Sequence, residues 1–175
     1  MKNPKAKGNG FELKVAKKLS EWAGVKFMRT PMSGAIHNFN DKRVVSDIVA
    51  PLSIGSFPFS IECKCQEVPW DFDFILKGTS TFWSFWKQAS CDADSEGLIP
   101  MLVMTKNYRD TYVAIPVDVF VVLFHKKTTP NYLTIKFSSE KVESLKNVEV
   151  AVLNFDEFLS SVTVEEILSL KNLIQ

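Results

Sequence analysis

The feature that most constrains the fold is an unbroken apolar run from Leu98 to Thr105, near the middle of the chain. A run of this length is typical of a strand that is buried on both faces at the centre of a layered sheet. A helix is predicted before it at residues 80–93, and a partner strand is predicted after it at residues 111–115. This helix–strand–strand succession favours the α/β class.

The rest of the chain supplies further elements around this central strand. Apolar residues at helical spacing between Gly10 and Gly24 predict an amphipathic helix whose N-cap is Asn9. Two strands at 44–50 and 57–65 would form a hairpin. Further strands are predicted at 25–29, 132–137 and 148–153, a helix at 163–173, a helical turn at 155–159, and long irregular stretches at 30–43 and 66–79. We therefore predict a mixed central β-sheet with helices on its faces, in a single domain over residues 1–175.

Composition excludes several classes of protein. Hydrophobic residues make up 46% of the chain and charged residues 23%, which fits neither a disordered nor a collagen-like protein. No apolar run approaches the ~18 residues of a membrane span, and no apolar segment of a secretory signal follows the charged N-terminus. The three cysteines form no CxxC pair, so the sequence indicates neither a disulfide framework nor a zinc site. We expect a cytoplasmic protein with no membrane partner.

Charge is distributed unevenly along the chain. Residues 1–29 carry eight basic and two acidic side chains, a net charge of +6, whereas the remaining residues carry a net charge of −5. A basic N-terminal segment can attract a polyanion locally. A solvated helix face with a lysine-rich tail would give the same pattern, and charge alone does not separate the two interpretations.

The chemistry-bearing feature is an aspartate, Asp47, followed by the alternating pair Glu62 and Lys64. Alternation along a strand places Glu62 and Lys64 on one face, roughly 6–7 Å apart, with Cys63 and Cys65 on the other. If the two predicted strands pair, Asp47 can lie beside Glu62, and two buried carboxylates repel each other. A divalent cation with hard oxygen ligands, Mg²⁺ or Mn²⁺, would resolve this conflict. A hairpin with charged side chains facing solvent is the plain alternative.

In this context the sequence resembles the PD-(D/E)XK nuclease superfamily, and within it the archaeal-type Holliday junction resolvases that phages also encode. The resemblance covers residues 5–115 and rests on four stretches in order, residues 7–12, 29–34, 46–50 and 61–64. It implies a restriction-endonuclease-like core of order αβββαβ, with residues 116–175 as a C-terminal extension. The sequence departs from the family in carrying Ser46 where the proline of the motif stands, and in a longer loop at residues 35–43.

The resemblance also implies a role for each matched residue of the catalytic centre. Asp47 and Glu62 would be metal ligands, and the backbone carbonyl of Cys63 would be a third, while the Cys63 thiol packs in the core. Lys64 would orient or activate the attacking water. Glu12, on the first helix, would hold the metal directly or through water, or else be an ordinary surface glutamate.

DNA contacts are the second group of roles. Arg29 would contact phosphate, and Ser33 would approach the scissile phosphate as a catalytic residue, unless it is a plain loop serine. His37 is a candidate phosphate contact or simply an exposed loop histidine, and Gln88 is a polar residue that the helix after the Glu-x-Lys strand can direct toward the site. The remaining candidates for DNA binding are basic side chains: Lys5, Lys7 and Arg43.

An aromatic cluster lies on the same predicted helix as Gln88. Phe82, Trp83, Phe85 and Trp86 could form a platform on which bases stack. Helical spacing places Phe82, Phe85 and Trp86 on one face, which favours the core for these three residues and leaves Trp83 off that face.

The resemblance implies an Mg²⁺-dependent endonuclease, with Mn²⁺ as a substitute, that hydrolyses phosphodiesters in four-way DNA junctions. Symmetric cleavage of two strands would need two active sites, which a homodimer supplies. The alternatives are a repair- or restriction-type nuclease of the same superfamily that acts on other DNA structures, and a DNA-binding module without catalysis.

Overall fold

A seven-stranded mixed sheet organises the protein. The computed structural model describes residues 4–30, 46–67, 75, 80–137 and 148–173. The described strands lie in the order β1-β2-β3-β4-β5-β7-β6. Their bounds are Met28–Arg29 (β1), Ile48–Val49 (β2), Phe59–Cys65 (β3), Ile99–Thr105 (β4), Tyr112–Pro116 (β5), Tyr132–Phe137 (β6) and Val148–Asn154 (β7). Strands β3 and β4 pair in parallel, and the other neighbouring strands pair in antiparallel fashion.

Two helical layers enclose the sheet. The helices are Pro4–Ala23 (α1), Phe82–Glu96 (α2), Val117–Leu123 (α3), Phe155–Ser161 (α4) and Val164–Ser169 (α5), with 3₁₀ turns at Leu52–Ile54 and Leu170–Leu173. Met101 and Val103 of β4 face the cluster built by α1, α3, α4 and α5. Leu102 and Met104 face α2 on the opposite side. The prediction from the apolar run is therefore confirmed, since β4 is buried on both faces.

The element order α1-β1-β2-β3-α2-β4 is the αβββαβ arrangement that the resemblance implies, so the predicted fold class is confirmed. The predicted hairpin is present, because β2 and β3 pair with Ile48 opposite Ile61. The extension does not stand apart, since β7 pairs with β5 and β6 pairs with β7 in the same sheet. In the described parts of the chain, every helix is too short or too polar to reach across a lipid bilayer.

The start of α1 differs from the prediction. The helix begins at Pro4, so Asn9 lies inside it and the prediction of Asn9 as N-cap is wrong. Proline is favoured in the first turn of a helix because its fixed φ suits the helix and its missing N–H would have no partner there. Lys5 and Lys7 are thereby held on a helix. The predicted end is confirmed, since Gly24 follows α1 with a φ of +66°.

Helix α2 packs its aromatic face into the core. Phe82, Phe85 and Trp86 are buried, as their spacing predicts. Trp83, expected off this face, is buried as well, and its ring packs edge-to-face against Phe82 at 4.9 Å between centroids. A base-stacking platform on this helix is excluded for all four rings, because none of them reaches the surface.

The C-terminal segment contributes packing and caps. The apolar stretch at 117–124 forms α3, whose Phe120 is buried against the sheet. Helix α4 is capped by Asn154, whose side chain accepts from the backbone of Asp156 and Glu157. Helix α5 begins with a capping box between Thr163 and Glu166. Helix α4 lies where the sequence predicted a helical turn at 155–159, and α5 with the 3₁₀ turn after it lies where a helix was predicted at 163–173. The two caps fix where these helices begin.

Candidate active site

Strand β3 carries an acid–base pair on the face that α2 covers. Glu62 and Lys64 point to this face, and their carboxylate and ammonium groups form an ion pair. The Lys64 Nζ atom also donates to Oε1 of Gln88 on α2 at 2.9 Å, and it lies 5.8 Å from the centre of the Phe85 ring. Cys63 points to the opposite face and packs in the apolar cluster beneath α1, as predicted. The alternation expected from the sequence is therefore present.

Asp47 reaches the same strand from the segment just before β2. Asp47 directly precedes β2, whose Ile48 pairs with Ile61 of β3, and its charge lies close enough to Glu62 to raise the pKa of that carboxyl. Its Oδ2 atom accepts a hydrogen bond from the backbone N–H of Cys63 at 2.8 Å. The Asp47 backbone is fixed as well, because its N–H donates to Ile61 at 2.9 Å and its carbonyl accepts from Thr30 at 2.9 Å. Asp47 and Glu62 thus face the same part of the sheet, beside Lys64.

A buried hydroxyl network holds the residue before Asp47. The Ser46 Oγ atom lies 2.7 Å from Ser60 Oγ on β3 and donates to Glu96 Oε2, at the end of α2, at 3.0 Å. The Ser46 carbonyl accepts from Thr30 Oγ1 at 2.6 Å. Ser46, Ser60 and Thr30 are each buried. The serine that replaces the motif's proline therefore links the Asp47 segment to β3 and to α2 through its side chain.

Burial makes Glu62 hard to ionise. Its side chain is 5% exposed, and burial raises its pKa to about 7, with a further upward contribution from the charge of Asp47. The Lys64 ammonium opposes this shift without cancelling it. Two buried carboxylates that face each other are stabilised by a cation, and one lysine supplies only part of that charge. The site therefore favours an additional positive charge between Asp47 and Glu62.

The donor atoms fit a hard divalent cation. In an extended strand, the N–H and C=O of one residue point to the same side. Because the Cys63 N–H points at Asp47, the Cys63 carbonyl lies along the same edge of β3 as that carboxylate. Among the described residues, no group of three or more His, Cys, Asp or Glu side chains lies close enough to hold a metal ion. Two carboxylates with a carbonyl and waters still match Mg²⁺, which commonly uses only one or two carboxylates.

Glu12 and Arg29 form a second, partly buried pair beside this centre. The Glu12 carboxylate, on α1, pairs with the Arg29 guanidinium, and the same guanidinium donates to Oδ1 of Asn9 at 2.9 Å. Glu12 is 9% exposed, so it is not an ordinary surface glutamate. Burial raises the pKa of the Cys63 thiol, and the charges of Asp47, Glu62 and Glu12 add to the shift. Three carboxylates therefore surround this short stretch of β3.

The remaining candidates divide into two groups. Lys7 and Lys5 lie in the first turns of α1, and Lys7 Nζ is 3.0 Å from Oε1 of Glu67, just beyond β3. Several basic residues of residues 1–29 have carboxylate partners: Lys7, Lys17, Lys18 and Arg29. Because these basic side chains are already paired, the positive charge of residues 1–29 is, taken alone, weaker evidence for binding of a polyanion. Three predicted residues lie outside the described part of the chain: Ser33, His37 and Arg43.

Sequence reasoning missed the groups that hold the centre in place. The bonds from Ser46 to Ser60 and Glu96 and from Arg29 to Asn9 join residues that are far apart along the chain. One signal was available, since a serine stands where the motif has a proline. A hydroxyl at a buried position needs a partner, which predicts a neighbouring polar side chain without identifying it.

Comparison with known proteins gives one family. The family model described as "Phage putative PDDEXK endonuclease" matches residues 3–169, nearly the whole chain. The match includes α1, the Asp47 segment, strand β3 with Glu62 and Lys64, and most of the C-terminal segment. No curated protein and no solved structure matches the chain.

Proposed function

The chain belongs to the phage PDDEXK endonuclease family, and on that premise we propose that it resolves four-way DNA junctions as an Mg²⁺-dependent endonuclease. It is a nuclease of the PD-(D/E)XK type, a class that generally depends on divalent metals. The observation that carries the proposal is the meeting of Asp47, Glu62 and Lys64 at one point on β3. The junction as substrate rests on the resemblance of the motifs to junction resolvases.

The proposed roles follow from the donor atoms. Asp47, Glu62 and the Cys63 carbonyl would hold the cation, and Glu12 would hold it through water. A divalent cation at this position lowers the pKa of water and offsets negative charge on the phosphate. The Lys64 ammonium, with one proton directed to Glu62 and one to Gln88, can hold a water or a phosphate oxygen with its third. Gln88 thereby orients Lys64, in addition to the DNA contact predicted for it.

DNA would be held mainly through its backbone. Phosphate contacts position a protein on DNA without reading its sequence, which suits recognition of a branched shape. Arg29 lies beside the centre, and the exposed Lys7–Glu67 pair costs little to open. The other proposed contacts are Lys5, Ser33, His37 and Arg43, with Ser33 near the scissile phosphate. A homodimer would supply the second active site needed for paired cuts.

The test of catalysis replaces one carboxylate at a time. Asp47→Asn and Glu62→Gln should each lower the cleavage rate at least 10²-fold in Mg²⁺, because each removes a charge that the cation needs. Junction binding, measured by fluorescence anisotropy, should stay within about threefold of the parent protein. Glu149→Gln, an exposed glutamate on β7 paired with Lys136, is the matched control and should cut normally. Parent-like cleavage by either site variant would refute the assignment.

Substrate choice is tested with three labelled DNAs: a mobile four-way junction, a flap and a plain duplex. Symmetric nicks across the junction, made within one binding event, support resolvase activity by a homodimer. Equal cleavage of all three DNAs would contradict junction specificity and favour a repair- or restriction-type nuclease. Binding without any cleavage in Mg²⁺ or Mn²⁺ would favour a DNA-binding module.

A further inference from the structure

The turn between β4 and β5 presents an aromatic ring entirely to solvent. Tyr108 has a relative exposure of 105%, the highest among the exposed large hydrophobic side chains of the described residues. Its φ is +57°, in the left-handed region. A bulky residue is rare there, because its Cβ crowds the backbone, and asparagine or glycine is the usual occupant. Tyr108 therefore costs conformational energy and gains no packing in return.

The turn is nevertheless well fixed. The Thr105 hydroxyl lies within hydrogen-bond distance of the carbonyls of Lys106, Arg109 and Asp110, at 3.1, 3.3 and 3.1 Å. The Arg109 N–H donates to the Lys106 carbonyl at 3.3 Å. A ring on such a turn can contact a ligand with little further loss of conformational freedom. Strained backbone that persists within a well-held turn is a feature of functional sites.

The turn lies at the end of the sheet where β3 leaves the catalytic centre. Lys64 is paired with Met104 in the parallel register, and the turn begins two residues further along β4. Tyr108 follows Met104 by four residues, which span at most about 13 Å, so the turn lies near Lys64. Oε1 of Glu67, which follows β3, accepts from the Asn107 N–H at 2.6 Å and from Lys7 at 3.0 Å. One carboxylate thus joins the turn to the basic start of α1.

The chemistry around the ring suits nucleic acid. Lys106 and the exposed Arg109 flank Tyr108 in sequence, and Lys7 approaches the same turn through Glu67. Aromatic rings beside cationic side chains bind single-stranded nucleic acid by stacking on bases while the cations contact phosphates. Base faces are available only where the duplex is opened, as at a branch point. A separation of this order corresponds to a few nucleotides along one DNA strand, at about 3.4 Å each.

We propose that Tyr108 stacks on an unpaired base of branched DNA, a few nucleotides from the cut, while Arg109 contacts the adjacent phosphate. This inference rests on the proposed nuclease function and adds to it a residue that distinguishes branched DNA from plain duplex. It explains a strained, solvent-exposed tyrosine that contributes no packing to the fold. It also assigns a role to Glu67, which holds the turn through the Asn107 N–H and makes no DNA contact of its own.

The test removes the ring without harming the turn. Tyr108→Asn places a residue that tolerates the left-handed conformation, so the melting temperature should stay equal or rise. Lys126→Asn, at the other non-glycine position of positive φ among the described residues, is the matched control for that change in stability. Tyr108→Phe keeps the ring and removes the hydroxyl. Binding is measured by fluorescence anisotropy in EDTA, which prevents cleavage, with a four-way junction and with a plain duplex.

Tyr108→Asn should weaken junction binding about 5- to 50-fold and duplex binding less than threefold, while Tyr108→Phe stays within twofold of the parent. Arg109→Ala should lower the slope of log affinity against log salt by about one unit. Parent-like junction binding by Tyr108→Asn, in a protein that binds and cuts DNA, would overturn this inference alone. A parent protein that neither binds nor cuts DNA would overturn the proposed function and this inference together.

Discussion

The environment of Glu62 shows that the site needs a positive charge in addition to that of Lys64. It is buried beside Asp47, and Lys64 compensates only part of the repulsion between the two carboxylates. Alternation predicted the face of β3 that Glu62 and Lys64 share, and the predicted hairpin places the Asp47 segment beside that strand. The sequence was not sufficient for Asn9 or Ser46, since hydrogen bonds between distant segments leave no periodic signal.

The raised pKa of Glu62 predicts how stability depends on pH in the metal-free protein. Between about pH 4.5 and pH 7 the folded protein binds a proton at Glu62 that the unfolded chain releases, so stability falls as pH rises through this window. The loss should reach about 3 kcal/mol above pH 7, and Mg²⁺ should restore part of it. Urea denaturation of the parent and of Glu62→Gln from pH 4 to 8 measures the difference. A difference that does not change with pH would contradict this account.

At the scale of elements, helices and strands with a strong local sequence pattern were predicted correctly, and those with a weak pattern were not. Strand β4 was predicted to within one residue, because an apolar run bounded by polar residues has few other solutions. Helix α1 was predicted to start six residues too late, because Gly8 and Gly10 suggested a loop while Pro4 and tertiary contacts extend the helix. Trp83 was misplaced because the core on that side surrounds more of α2 than an ideal amphipathic stripe.

Hydrogen bonds of Ser46 link three elements: the start of β2, strand β3 and the end of α2. Ser46→Ala should destabilise the protein by about 1–2 kcal/mol, because it leaves the buried Ser60 hydroxyl without its partner and removes the bond to Glu96. Ser60→Ala should cost about 1 kcal/mol, because it removes only the hydrogen bond that Ser46 accepts. Their effects should not add, and a double-mutant cycle by urea denaturation should give a coupling of about 1 kcal/mol. Ser95→Ala, an exposed serine bonded within its own turn, is the control. Additive losses would show that the two hydroxyls act independently.

At the scale of the whole molecule, the extension completes the sheet that carries the site. Strands β6 and β7 continue the sheet beyond β5, and Trp22 of α1 donates to the carbonyl of Val162 at 2.9 Å, which ties α1 to the C-terminal helices. These contacts fix α1, and with it Glu12, against β3. The sequence predicted the individual strands here but not their order, because pairing between distant segments depends on packing that no local pattern encodes.

The central claim is that Asp47 and Glu62 jointly hold one divalent cation on β3. Calorimetric titration of Mn²⁺ into the parent protein, Glu62→Gln and the control Glu149→Gln tests it without DNA and without turnover. We predict one site in the parent and in Glu149→Gln, and an affinity at least tenfold lower in Glu62→Gln. Equal binding by Glu62→Gln, or no binding by the parent protein, would contradict the account.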